Sequence, residues 1–113
     1  MRVVGVAPSA ERDIQQIFEL LRTLAREAQV PGDFPERWFD EVADAITGLH
    51  DFPERHAFAP EREAWGRDVR NVLLRTGYRV LFQVHDQAVW VLRVTHQRQQ
   101  QLGAAGREGA YDR

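Results

Sequence analysis

A carboxylate, a guanidinium and an imidazole suffice to move a proton and hold a phosphate, and Glu61, Arg79 and His96 offer one of each. Arg79 and His96 belong to the stretch Tyr78–His96, YRVLFQVHDQAVWVLRVTH, in which apolar and polar residues alternate on both sides of Asp86-Gln87. Its polar positions include Arg79, Gln83, Arg93 and His96, not the Ser, Thr and Lys of an ordinary solvated sheet face. An imidazole beside Arg has a lowered pKa and can serve as a neutral base or donor, while the Arg holds a phosphate. Glu61, between Pro60 and Arg62, would bring its carboxylate from a loop to the same end of the sheet. The plainer reading is that Arg on an outer sheet face solvates it and that a loop carboxylate simply faces water. Trp90, on a strand rich in Arg, reads either as a binding hot spot and stacking platform or as a ring half-covered by Arg stems.

Other chemistry is excluded or thinly supported. The chain of 113 residues has no Cys, so disulfides and thiolate metal sites are absent, in keeping with a reducing compartment. The four His have no i, i+4 partner, and there is no Gly-rich phosphate loop, HExxH or Ser-His-Asp spacing, so neither a metal nor a cofactor is expected. No apolar run approaches the ~18 residues of a membrane span, and the N-terminus is too short for a signal peptide. A cytoplasmic protein without membrane association is expected.

The net charge of −2 conceals an asymmetry. Residues 1–66 hold seven Arg against thirteen Asp and Glu, whereas residues 67–98 hold six Arg against two Asp. All fifteen basic residues are Arg, each a planar bidentate donor suited to phosphate or carboxylate. The contrast points to a basic functional surface on the C-terminal strands, with Arg70, Arg93 and Arg98 as contacts beside Trp90.

These residues need a scaffold. Arg2–Ala7 reads as a strand ending at Pro8, with Ser9 as the cap of a helix. Ile14, Ile17, Phe18, Leu21, Leu24, Ala25 and Ala28 follow in steps of three and four, the stripe of an amphipathic helix. A second helix starts around Asp33–Pro35, carries Trp38, Val42, Ala45, Ile46 and Leu49, and packs antiparallel to the first. Residues 50–67 read as a long irregular loop. Strands Asp68–Arg75, Tyr78–His85 and Ala88–His96 then form a meander. With two-residue turns at both ends, residue 75 faces 78 and residue 85 faces 88. That register puts Val69, Leu73, Tyr78, Val80, Phe82, Val84, Val89 and Val91 against the helices, together with Asn71, Arg75, Arg93 and Thr95. It leaves Val72, Leu74, Leu81, Trp90, Leu92 and Val94 outside with Arg70, Arg79, Gln83 and His96. The expected architecture is α+β: a strand, an αα-hairpin and a three-stranded antiparallel meander, with the helices on one sheet face. A single domain over residues 1–98 is expected, followed by a flexible Gln- and Gly-rich tail over 99–113.

The order of elements and several phrases resemble the RelE/ParE superfamily of bacterial toxins from type II toxin–antitoxin systems, nearer ParE. The carriers are V-x-P-S-A-E-R-D-I at Val6–Ile14, L-x-x-F-P-E-R at Leu49–Arg55, and above all Y-R-V-L-F-x-V at Tyr78–Val84 with V-x-V-L-R-V-x-H at Val89–His96. The likeness spans about residues 2–98. It implies a growth inhibitor, of the kind associated with plasmid stabilization, that forms a hetero-oligomer with a neutralising antitoxin. Two activities share the fold: ParE-like members poison DNA gyrase, and RelE-like members cleave mRNA in the ribosome. For the nuclease, the resemblance assigns Glu61 as carboxylate, Arg79 as phosphate-holding Arg and His96 as terminal His. The Tyr that should follow His96 is replaced by Gln97, there is no Lys for the other version of that site, and an acidic chain suits the ribosome poorly. The expectation is therefore a gyrase-directed, non-nucleolytic toxin. The alternatives are a ribosome-dependent mRNA endonuclease and an inactive member kept for its antitoxin.

Overall fold

Pro8, not Ser9, opens the first helix. In the computed structural model, which describes residues 2–66 and 68–98, strand β1 spans Val3–Val6 and helix α1 spans Pro8–Arg26. Ala7 is the extended N-cap without a side-chain cap, and Pro8 takes the first turn, where its missing N–H costs nothing. Ser9 is buried one residue in, and its Oγ donates to the Leu92 carbonyl at 2.8 Å. The expected stripe holds: Ile14, Ile17, Phe18, Leu21 and Leu24 pack into the main core. Helix α2, Phe34–Gly48, supplies Trp38, Val42, Ala45 and Ile46 to the same core, with Leu49 just beyond its end.

The sheet has the order β1-β4-β3-β2, with β2 at Val69–Leu73, β3 at Tyr78–His85 and β4 at Ala88–His96. β1 lies parallel beside β4, and the remaining pairs are antiparallel. The strand, two helices and meander thus appear in the expected order, with the two helices on one face. The Asp86-Gln87 turn also has its expected register, His85 opposite Ala88.

Two departures change the face assignments. At the β2–β3 turn, Leu73 faces Arg79, and Leu74 N–H donates to the Tyr78 carbonyl. Three residues, 75–77, therefore make the turn, with Gly77 at φ +93 supplying the conformation that side chains resist. The one-residue slip inverts β2: Val72 and Leu74 pack against the helix-side core, whereas Val69, Asn71 and Leu73 turn outward. Arg70 comes to lie opposite Phe82, on the helix side. In β4, Leu81 faces Arg93 while Phe82 faces Val91, so Leu92 is the extra residue of a bulge. Beyond it the parity reverses. Val94 and His96 join the helix side, and Thr95 lies opposite Arg79 on the outer one. The expectation that Arg70, Arg79 and His96 share a face is thus corrected: only Arg79 stays outside.

β1 is too short to cover all of β4, and α1 completes the edge. Ala7 N–H donates to the Val91 carbonyl, Ser9 to that of Leu92, and Asp13 Oδ2 accepts from Val94 N–H at 3.0 Å. Helix side chains thereby satisfy backbone groups that a bare edge would expose. Residues 50–66, expected as loop, contain a 3-10 turn at Pro53–Arg55, a bridge between Phe58 and Arg70, and a short helix α3 at Glu61–Trp65. α3 lies over the outer sheet face. Trp65 and Ala59 pack there with Val69, Leu81 and Leu92 in a second core, and Trp90 rests against it.

Candidate functional site

Of the three groups that could form an acid–base site, Glu61 and Arg79 meet and His96 lies apart from them. Glu61 is fully buried at the start of α3, and Arg79 is 6% exposed on β3. Arg79 Nη1 donates to Glu61 Oε1 at 2.8 Å and Nη2 donates to Oε2, a bidentate pair that occupies both carboxylate oxygens. Nη1 also reaches Asn71 Oδ1 at 3.5 Å. The sequence folds this way because Trp65, one turn after Glu61, anchors α3 on Val69, Leu81 and Leu92. Both terminal nitrogens of the guanidinium are thus engaged with the carboxylate in a largely apolar surrounding.

His96 lies on the opposite face, with its ring edge-on to Tyr78 at a centroid distance of 4.9 Å. Its Nδ1 accepts the Arg98 N–H at 3.0 Å, so in this geometry the ring proton sits on Nε2. With Tyr78, Asp13, Gln16 and Leu20 it lines a cleft of about 340 Å³ between α1 and the end of β4. Burial pushes the Tyr78 phenol above its ordinary pKa, so it is a donor and not a base at neutral pH. Asp13 brings no unengaged carboxylate to this cleft. Both its oxygens accept from Arg93, at 2.7 and 3.1 Å.

The expected contact residues divide similarly. Arg93 is tied to Asp13, and Arg70 Nη1 donates to the carbonyls of Glu54 and His56 at 2.9 and 2.8 Å. Arg70 and Arg62 also lie against the Phe58 ring, 4.1 and 4.0 Å from its centroid. His56 is held below its usual pKa by burial first, then by Arg55 and Arg70. Trp90 is partly exposed and lies across Gly5, where a Cβ would come within 2.2 Å of the indole. Arg98 is exposed. Among the described residues no group of three or more His, Asp or Glu is placed to hold a metal, and no helix is long and apolar enough to cross a membrane.

Two features escaped sequence reading. Glu41 on α2 accepts from Arg75 N–H, Thr76 N–H and Thr76 Oγ1 at 2.6, 3.2 and 2.6 Å, clamping the β2–β3 turn. A contact across 35 residues leaves no local signal. The second is an apolar groove of about 520 Å³ lined by Val6, Ile14, Phe18 and Phe39, with Glu11 and Gln15 at its rim. Phe18 and Phe39 meet edge-on at 5.8 Å, and Phe39 remains 46% exposed. The groove adjoins β1, one of the two edge strands of the sheet. An exposed Phe at the margin of a helical stripe was its available signal.

Among individually curated proteins, none matches the sequence. A solved structure of a chromosomal ParDE TA system from P. aeruginosa is similar in fold, with a TM-score of 0.66 at 15% identity over 85% of this chain and 96% of that one. The family model for the ParE toxin of the type II toxin–antitoxin system, parDE, matches residues 4–101. With nearly the whole described chain inside that match, the protein belongs to the ParE toxin family of type II toxin–antitoxin systems.

Proposed function

We propose that this ParE-family toxin inhibits growth by binding DNA gyrase and not by cutting RNA, and that a cognate antitoxin neutralises it. One observation carries the choice between the two activities. Glu61 and Arg79 are consumed by each other inside the second core, and His96 opens on the opposite face, so the acid, base and phosphate holder of a nuclease are not assembled. Family membership supports the gyrase target, and binding to a protein needs surface and not a proton relay. Arg98 and the exposed part of Trp90 present surface to a target, and Arg70 and Arg93 are engaged within the fold.

The antitoxin, on this reading, lays an amphipathic segment in the groove of Val6, Ile14, Phe18 and Phe39, beside the edge strand β1. The complex is a toxin–antitoxin hetero-oligomer in the cytoplasm. Purified toxin added to a gyrase supercoiling assay should inhibit it, the antitoxin should relieve the inhibition, and His96→Ala should inhibit as well as the parent. Full supercoiling at saturating folded toxin would overturn the proposal, and harmless overexpression without antitoxin would favour an inactive member.

A further inference from the structure

The segment over the outer sheet face is fastened by two strand-like hydrogen bonds, a small apolar contact and a buried ion pair. Residues 57–59 join β2 through Asn71 N–H to the Ala57 carbonyl at 3.0 Å and Ala59 N–H to the Val69 carbonyl at 2.7 Å. α3 then stands on Trp65 and the Glu61–Arg79 pair, and the chain leaves it at Gly66, φ +69, a position with open space around it. At the other end, Phe52 adopts φ +49 and is 78% exposed. Two left-handed positions thus bracket a stretch whose last part, residues 57–66, rests on the outer face through one indole, one Ala and one ion pair, with Phe58 held at the margin by Arg62 and Arg70. On the same outer face, Gln83 Oε1 is buried with no hydrogen-bond partner among the described residues.

The choice of a charged pair here has a physical consequence. An apolar plug in place of Glu61 and Arg79 would hold the segment shut, because opening would expose that plug to water. A charged pair behaves in the opposite way. Closed, it satisfies itself through two hydrogen bonds; open, both groups and the Gln83 carbonyl regain hydration that burial had removed. The open state is thereby cheaper than it would be for a hydrophobic lock of equal size.

We infer that residues 57–66 form a strap that opens as one unit from the outer sheet face, with Glu61–Arg79 as a polar latch that keeps the open state accessible. Opening uncovers Arg79, Leu81, Leu92 and Val69 while the helix-side core stays intact. The strap operates independently of which target the toxin has.

Native-state hydrogen exchange on the full chain tests this. The amides of Ala59, Arg62, Gly66 and Asn71 are all bonded within the strap or between it and β2, and amides in the β3–β4 ladder report global unfolding. The four strap amides should exchange together, at least tenfold faster than the ladder and with little denaturant dependence. Glu61→Gln, which keeps the shape and removes the charge, weakens the closed state against both the open and the unfolded states, so it should accelerate the four strap amides about tenfold and the ladder by a similar factor, leaving the gap between them. The double variant Glu61→Leu with Arg79→Met should slow them towards the ladder rate. Strap amides that exchange at the ladder rate in the parent protein would overturn the inference. So would strap amides left unchanged in Glu61→Gln while the ladder accelerates, or a folded double variant whose strap exchanges as fast as the parent's.

Discussion

The two faces of the sheet are covered by opposite means. On the helix side, two long helices bring Ala10, Leu21, Trp38 and Val42 onto Val80, Phe82, Val89, Val91 and Val94, all essentially withdrawn from water. At roughly 1.5–3 kcal/mol for each large buried apolar side chain, that face has redundancy. On the outer side, five buried apolar residues share the work with one ion pair. A buried pair contributes little net stability but is costly to break, because the survivor is left charged and unpaired. The residues that look most like chemistry are therefore the ones on which the thinner face depends. Buried chemistry-bearing side chains should be tested for mutual satisfaction before they are assigned a reaction.

The sharpest way to break this contrast is to remove half the pair. Glu61→Ala or Arg79→Ala should each cost about 3–5 kcal/mol in denaturant unfolding. The paired apolar replacement Glu61→Leu with Arg79→Met should cost under about 1 kcal/mol or stabilise. Comparable losses in all three variants would mean the pair is a net source of stability. Next in size, Gly5→Ala drives a methyl into Trp90 on the outer face and should cost towards the upper end of about 1–3 kcal/mol, with a shifted tryptophan emission. Unchanged stability and emission would place Trp90 elsewhere. On the helix side, Glu41→Ala frees three donors at an accessible turn and should cost about 1.5 kcal/mol, without altering exchange in the strap.

The smallest effect is pH-dependent. Folded His56 has a pKa below the usual 6.5, so near neutrality and above both states are neutral and stability is flat. As pH falls below about 6.5 the unfolded chain takes up a proton that the folded one resists, and stability declines until folded His56 titrates in turn. His56→Gln should remove that part of the acid slope, as read from unfolding midpoints between pH 7 and 5; an identical slope in the variant would assign it to other groups.

The contrast also explains what sequence reading could reach. The stripe from Ile14 to Leu24 and the alternation of β3 are local periodicities, and both stand in the structure, including the outward placement of Arg79, Gln83 and Leu81. His96 was misplaced because face assignment depends on parity, and one bulge residue reverses every position after it. Leu92 carries no mark of a bulge; it reads as one more apolar residue in the strand. Thr76-Gly77 resembles a two-residue turn, and only the pairing of Leu74 with Tyr78 shows that Arg75 belongs to it. α3 is a single turn fixed by Trp65 and by a charge pair 18 residues apart, so neither propensity nor period announces it. The tail expected over residues 99–113 lies outside the described residues.

Whether the groups that resemble a nuclease site act as one is decided most directly on translating ribosomes carrying an end-labelled mRNA, incubated with the purified toxin. With Glu61 and Arg79 engaged to each other and His96 on the far face, the message should stay intact at saturating concentrations of folded toxin. Ribosome-dependent cleavage by the parent protein that disappears in folded His96→Ala would contradict it.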